Sequence, residues 1–305
     1  MDGVVLSAFG LCVRLAFPLP ALEGTGDASC APTLETRLVP FPADDVDPGI
    51  EEVVWTSRFD GHDYAMRRLR DGSHTFVYGK LASFRLSADG SVLRCAVAEP
   101  DDPAWQRLFL DTILWSCSQL RGFELLHAST VCWQDGALAI VSTSGGGKTS
   151  LAAELIGRGA TLVSDDLLAL DRVDGRLGGH PGPPVMNVPL SGPELGRELA
   201  RFPDERWVAL DRVAREPRPL AAICLLERRP GSELSLERHP GTPLDLLPHV
   251  FGSPGGSLRV AARFELLSDV VTEVPVFRLA ADVDVPPAEL ANLIESRIAA
   301  PVAAA

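Results

Sequence analysis

Ala137 to Asp166 reads ALAIVSTSGGGKTSLAAELIGRGATLVSDD. The apolar run Ala137 to Val141 predicts a buried strand. A loop of small residues follows, Ser142 to Gly147, and then Lys148 and Thr149. Leu151, Leu155 and Ile156 recur at helical spacing, and Gly159 is a natural stop for that helix. A second short apolar run, Thr161 to Val163, leads into two adjacent carboxylates, Asp165 and Asp166. Strand, glycine loop, lysine, helix, strand and acid pair follow the order of parts in a P-loop phosphate site. That order predicts an α/β fold.

Glycine has no Cβ, so a loop built of it can bend sharply and bring backbone N–H groups close to phosphate oxygens. A helix starting near Lys148 adds the positive end of its dipole. The candidate cradle is Ser144, Gly145, Gly146, Gly147, Lys148, Thr149 and Ser150. Lys148 would reach the terminal phosphates, and the Thr149 hydroxyl would ligate Mg²⁺. Ser142 stands where the full pattern G-x-x-x-x-G-K-[ST] has its first glycine, and its Cβ restricts the loop's first bend.

The whole chain sets bounds on this reading. Its 305 residues allow one large domain or two ordinary ones. Apolar content of 46% with 23% charged residues is that of a soluble globular protein. No apolar run approaches the span of a membrane helix, so no membrane partner is expected. The start MDGVVLSAFGLCVRL has an early acid and no basic region, which makes a poor signal peptide and gives a cytoplasmic location by default. A net charge of −13 disfavours nucleic acid as a partner, since that needs phosphate-neutralising Lys and Arg. The six cysteines (Cys12, Cys30, Cys95, Cys117, Cys132, Cys224) contain no C-x-x-C pair. They read as buried free thiols, with neither a zinc site nor a disulfide framework.

Residues 1–101 read as a β-rich N-terminal domain. Leu11 to Phe17 alternates in part. Val53–Phe59, Asp63–Arg68, His74–Tyr78, Ala82–Leu86 and Val92–Val97 are short strands punctuated by the turns at Asp71–Ser73 and Ala88–Ser91. Pro40 to Ile50 is linker-like. His62 and His74 are isolated, with a surface or sheet-edge role. A connecting helix spans 102–122, capped by Asp102 with Pro103 at its first position; its Trp105, Phe109 and Trp115 are packing residues.

Residues 123–300 form the second expected domain. Phe123 to Trp133, FELLHASTVCW, reads as one strand carrying His127, turned by Gln134–Gly136 into the strand that feeds the loop. Leu167 to Leu177 reads as a hairpin turning at Asp174–Gly175. Gly178 to Gly192, rich in Gly and Pro, reads as a long loop of the lid or clamp kind. Gly192–Phe202 is a short helix, Pro219–Glu227 a buried strand paired by Leu234–His239, Leu244–Phe251 and Ser257–Val271 helices, Val274–Leu279 a final strand and Pro286–Ile298 a terminal helix. Ala299 onward is frayed.

Phosphoryl transfer needs the γ-phosphate held in line, Mg²⁺ to neutralise charge, and a carboxylate to take the nucleophile's proton. Asp165 and Asp166 follow a strand on the same edge of the sheet as the glycine loop, where α/β sheets bind ligands. One can face a substrate hydroxyl while the other faces the metal or His127. The rival metal carboxylate is Glu227, which closes the apolar run PLAAICLLE.

HASTV around His127, SGGGKT at the loop and RGATLVSDD after its helix together resemble the C-terminal kinase domain of HPr kinase/phosphorylase. In that family a strand histidine precedes the P-loop, and a helix ending in R-G leads to a strand closing with D-D; Arg158–Gly159 and Asp165–Asp166 occupy those positions. A looser likeness extends over most of the chain to HPr-kinase-like proteins of bacterial gene clusters, including kinases of lasso-peptide precursors, through SAFGLCVRLAFPLPAL near the start and LHAS at Leu126–Ser129. The first hundred residues do not resemble the N-terminal domain of true HPr kinase.

The resemblance implies a P-loop kinase domain with a central mixed sheet flanked by helices. It implies ATP and Mg²⁺ as cofactors. It makes Asp165 the general base, with His127 and Lys148 in the catalytic set and Thr149 and Asp166 at the metal. It also implies a peptide or small protein carrying a serine as partner, and a homo-oligomer as the assembly. The expected function is an ATP-dependent serine kinase. The alternatives are a nucleotide-responsive binding protein without phosphotransfer, and a kinase of a small hydroxylated metabolite.

Overall fold

The computed structural model describes residues 4–23, 29–41, 48–59, 62–133, 136–251 and 257–298. They form two compact units, Met1–Gly122 and Phe123–Ala305. The stretches 42–47 of the linker-like segment, Gln134 and Asp135 of the expected turn, and the tail from Ala299 lie outside the described residues.

The first unit is an eight-stranded sheet. Its strands are β1 (Val5–Ala8), β2 (Leu11–Arg14), β3 (Leu34–Val39), β4 (Ile50–Phe59), β5 (His62–Leu69), β6 (His74–Tyr78), β7 (Ala82–Leu86) and β8 (Val92–Val97). They lie in the order β1-β2-β3-β8-β7-β6-β5-β4. Pairing is antiparallel except at β2–β3 and β3–β8. The period-2 pattern is plain in β7, where Ala82, Phe84 and Leu86 are buried and Ser83 and Arg85 look outward.

The helix expected from Asp102 begins as predicted: the Asp102 carboxylate accepts from the Ala104 amide at 2.8 Å and Pro103 takes the first position. It runs as α1 (Pro103–Leu108), one π-helical turn (Phe109–Ile113) and α2 (Leu114–Leu120). Its aromatic residues do pack. Phe17 meets Trp105 and Phe109 edge-on at 5.6 and 5.7 Å between centroids, and Phe84 stacks on Phe109 at 6.3 Å.

The cysteine expectation needs correcting. Cys12 and Cys30 form a disulfide, while Cys95, Cys117, Cys132 and Cys224 are buried and free. Cys30 comes from a Pro- and Gly-rich stretch with no pattern pointing to a partner.

The second unit is a mixed α/β fold. Its strands are β9 (Glu124–Leu126), β10 (Ala128–Trp133), β11 (Gly136–Val141), β12 (Thr161–Ser164), β13 (Leu168–Val173), β14 (Arg176–His180), β15 (Val185–Pro189), β16 (Arg197–Arg201), β17 (Glu205–Ala209), β18 (Arg218–Arg228), β19 (Ser235–His239) and β20 (Val276–Ala281). Its helices are α3 (Lys148–Gly157), α4 (Pro243–Leu246), α5 (Ser257–Glu273) and α6 (Pro287–Arg297). The large sheet runs β12-β10-β11-β18-β14-β13-β9, and β20 joins β18 in parallel. The first half of β18 pairs with β14 and its second half with β20.

Two apolar layers sandwich this sheet. Val131, Leu138, Ile140 and Leu226 pack with α3 and α6 on one face, and Val141, Ile223 and Leu225 pack with α5 on the other. A separate three-stranded sheet, β15-β17-β16, adds Met186, Val188 and Val208 to the α3 layer.

Four further expectations change. Phe123–Trp133 is two strands broken at His127; β9 pairs with β13, and β10 with β11 and β12. Gly178–Gly192 is largely strand, holding the end of β14 and all of β15, because Gly178 and Gly179 allow close packing against Arg218 and Leu168. The expected helix over Gly192–Phe202 is instead β16, an edge strand with little burial to set a period. Leu234–His239 pairs with β20, which lies between it and β18. No helix among the described residues is long and apolar enough to cross a membrane.

Candidate active site

β11 ends at Val141 and α3 begins at Lys148, so six residues turn the chain at the edge of the sheet. Gly145 and Gly147 hold φ of +74° and +94°, a region that side-chain-bearing residues rarely adopt. Gly146 is required for a different reason. A Cβ there would stand 2.0 Å from the Ser142 hydroxyl and 3.0 Å from the Thr143 carbonyl.

Ser142 is not among the residues with positive φ, so its Cβ imposes no strain on the first bend. Its buried hydroxyl donates to the Leu226 carbonyl at 2.7 Å and ties the loop to β18. The expected restriction at this position is thus replaced by an anchor.

Lys148 is 6% exposed. Its ammonium lies 3.4 and 3.5 Å from the carbonyls of Ser142 and Thr143, inside the turn it follows. Burial pushes its pKa down, opposed by the charges of Asp166 and Asp165. Behind it, the first amides of α3 have no intrahelical acceptor. Ser144 and Gly145 are exposed, while Thr149 and Ser150 are half-buried at the helix start.

Strand order brings the carboxylates here. β10 separates β11 from β12, and strand alternation points Ser129 to the same face as Val131, the face that α3 covers. One Asp165 oxygen therefore accepts from Ser129 Oγ at 2.7 Å and from Thr149 Oγ1 at 3.2 Å. Its other oxygen accepts from the Asn187 amide of β15 at 3.2 Å. Desolvation, and then the neighbouring charge of Asp166, raise the Asp165 pKa from 3.8 to about 6 in spite of these three donors.

Asp166 sits at φ +63°, and the Leu167 amide bonds back to the Asp165 carbonyl at 2.8 Å around it. That tight turn sends the two carboxylates in different directions. Asp166 Oδ1 lies 2.8 Å from His127 Nε2.

His127 occupies the break between β9 and β10. Its amide bonds the His249 carbonyl at 2.7 Å, and its ring meets Phe251 edge-on at 6.2 Å. The pKa of His249 is lowered by burial and by the charges of His127 and Lys148, while a bond to the Ser142 backbone works the other way.

The sequence-predicted residues Lys148, Thr149, Asp165, Asp166 and His127 therefore share one neighbourhood with the loop. Glu227 does not join them. Its oxygens pair with Arg229 at 3.0 Å and Arg278 at 3.1 Å, and alternation turns it away from the face of Leu226 and α3. Ser129, Asn187 and His249 went unrecognised in the sequence. Ser129 was legible within HASTV once β10 was placed beside β12; Asn187 and His249 arrive from distant segments with no local signal.

Among the described residues no group of three or more His, Cys, Asp or Glu side chains is arranged to hold a metal ion. What the site offers is a smaller set of hard oxygen donors, the Thr149 hydroxyl with the two carboxylates. Such a set suits an ion that takes its remaining ligands from water and phosphate.

No family model and no curated protein matches the chain. Among solved structures, the HPr(Ser) kinase/phosphatase from Coxiella burnetii aligns over 56% of this chain and 94% of its own, at 14% identity and a TM-score of 0.30. A likeness that distant carries no weight on fold or activity.

Proposed function

We propose that the second unit is an ATP-dependent kinase whose acceptor is a hydroxyl, with a serine of a peptide or small protein as the leading candidate. One observation carries the reading: Asp165, at the end of β12, bonds the hydroxyl of Thr149, the residue that follows the loop lysine, at 3.2 Å. A carboxylate whose pKa is about 6 is suited to take a proton near neutral pH. The motifs around His127, Lys148 and Asp165 point the same way.

In this reading the loop amides and Lys148 hold the triphosphate tail. The acceptor oxygen attacks the γ-phosphorus while Asp165 accepts its proton. The bond from that phosphorus to the β–γ bridging oxygen breaks, and ADP leaves with the electron pair. Thr149 and Asp166 would hold Mg²⁺, which supplies neutralisation of the phosphate charge. His127 fixes the orientation of Asp166 through their hydrogen bond.

The test is transfer of label from γ-labelled ATP to serine peptides and to a panel of hydroxylated metabolites, each with wild type and Asp165→Asn. The variant is expected to bind nucleotide as before and to lose transfer by about a hundredfold or more. Normal turnover by Asp165→Asn removes the base assignment. Nucleotide binding without transfer to any acceptor supports a nucleotide-responsive binding protein instead.

A further inference from the structure

The outer face of the first unit carries charge in register. Across the sheet, Arg67 of β5 stands opposite Thr75 of β6, Thr75 opposite Arg85 of β7, Arg85 opposite Arg94 of β8, and Arg94 opposite Arg37 of β3. Residues directly opposite one another project to the same face. Four arginines thus share one row, and two of the pairings set arginine directly against arginine. Like charges so placed destabilise a sheet. In a chain of net charge −13 the row is a local reversal of sign.

Glu35 bonds Arg14 at 3.1 Å, and Asp71 bonds Arg85 at 2.7 Å. No hydrogen bond or ion pair joins the side chain of Arg37 or Arg67 to another described residue. Arg67, Arg85 and Arg94 line an open groove of roughly 190 Å³ whose walls include Val39, Leu69 and Val77.

We propose that this groove binds an acidic peptide in extended form, its carboxylates on the arginine row and its alternate apolar side chains on the groove wall. Neighbouring strands lie about 4.8 Å apart, so the row from β5 to β3 spans about 19 Å, the reach of about six extended residues. A single-stranded nucleic acid would stack its bases on open aromatic side chains; Phe84, the aromatic residue at this groove, is 1% exposed. Binding at this face needs no nucleotide and stands whether or not the phosphotransfer reading does.

Fluorescence anisotropy of the full chain decides it, with a labelled peptide of about ten residues alternating Glu and Val as the probe. A Gln–Val peptide and a single-stranded DNA of similar length serve as comparisons. Arg37→Gln/Arg67→Gln is expected to weaken the Glu–Val peptide about tenfold, with Arg176→Gln in the second unit unchanged. Removing like charges should leave the melting temperature of the double variant equal or higher. Equal binding of the Gln–Val peptide, an unchanged double variant, or preference for DNA overturns the proposal. Should the double variant not fold, wild type decides alone: rising salt must weaken the Glu–Val peptide selectively, and salt-independent binding overturns the proposal.

Discussion

Asp165 is the carboxylate on which the proposed phosphotransfer depends. Its folded pKa of about 6 lies above the 3.8 of an ordinary aspartate, so the folded protein holds this proton more tightly than the unfolded chain does. The stabilisation from that proton is fully present below 3.8 and is lost as pH rises through about 6. Asp165→Asn carries no such dependence. Its melting temperature relative to wild type is therefore expected to rise across that window and level off above it, with a gain of at most about 3 kcal/mol. Thermal melts of both proteins from pH 4 to pH 8 check this, and a flat difference contradicts the shifted pKa. That the acid pair lies near Thr149 was legible, since all three belong to one strand–loop–helix–strand motif; the sequence placed Asp166 beside Thr149, whereas the Thr149 hydroxyl bonds Asp165. The contacts of Asp165 with Ser129 and with the Asn187 amide were not legible, because they depend on which strands become neighbours.

At the scale of elements, the strongly periodic segments were readable and the glycine- and proline-rich stretch Gly178–Gly192 was not. His74–Tyr78, Ala82–Leu86 and Val92–Val97 are strands with those same bounds. Gly178 and Gly179 looked like loop residues because glycine usually marks a turn. Here they sit in β14, where Arg218 of β18 comes too close to Gly178, and Leu168 of β13 too close to Gly179, for a side chain. A Cβ on Gly178 would lie 2.6 Å from the Arg218 carbonyl oxygen, which is backbone and cannot swing aside. Gly178→Ala is expected to destabilise the protein by roughly 1–3 kcal/mol by prising β14 from β18. Urea unfolding measures this, and an unchanged midpoint would contradict the packing described. The break at His127 was hidden for the opposite reason: FELLHASTVCW is apolar on both sides of it, and the break shows only in the different partners of β9 and β10.

At the scale of the whole molecule, the chain divides into two units with different cores. The order of motifs around the loop made the α/β character of the second visible. The β-rich character of the first was visible too, but its parallel joins through β3 were not, since parallel pairing leaves no hairpin signal in sequence. The Cys12–Cys30 crosslink closes a separation of 18 residues in the first unit. Replacing both cysteines by serine is expected to lower the unfolding free energy by about 3 kcal/mol. Guanidinium titration with and without reductant checks it, since the double variant should show no response to reductant.

The central claim is that the turn between Ser142 and Lys148 holds the phosphate tail of a nucleotide. Calorimetric titration of a non-hydrolysable magnesium–ATP analogue into wild type and Lys148→Ala tests it most directly. The account predicts saturable binding by wild type, weakened at least about tenfold in Lys148→Ala. No binding by wild type, or equal binding by both proteins, would contradict it.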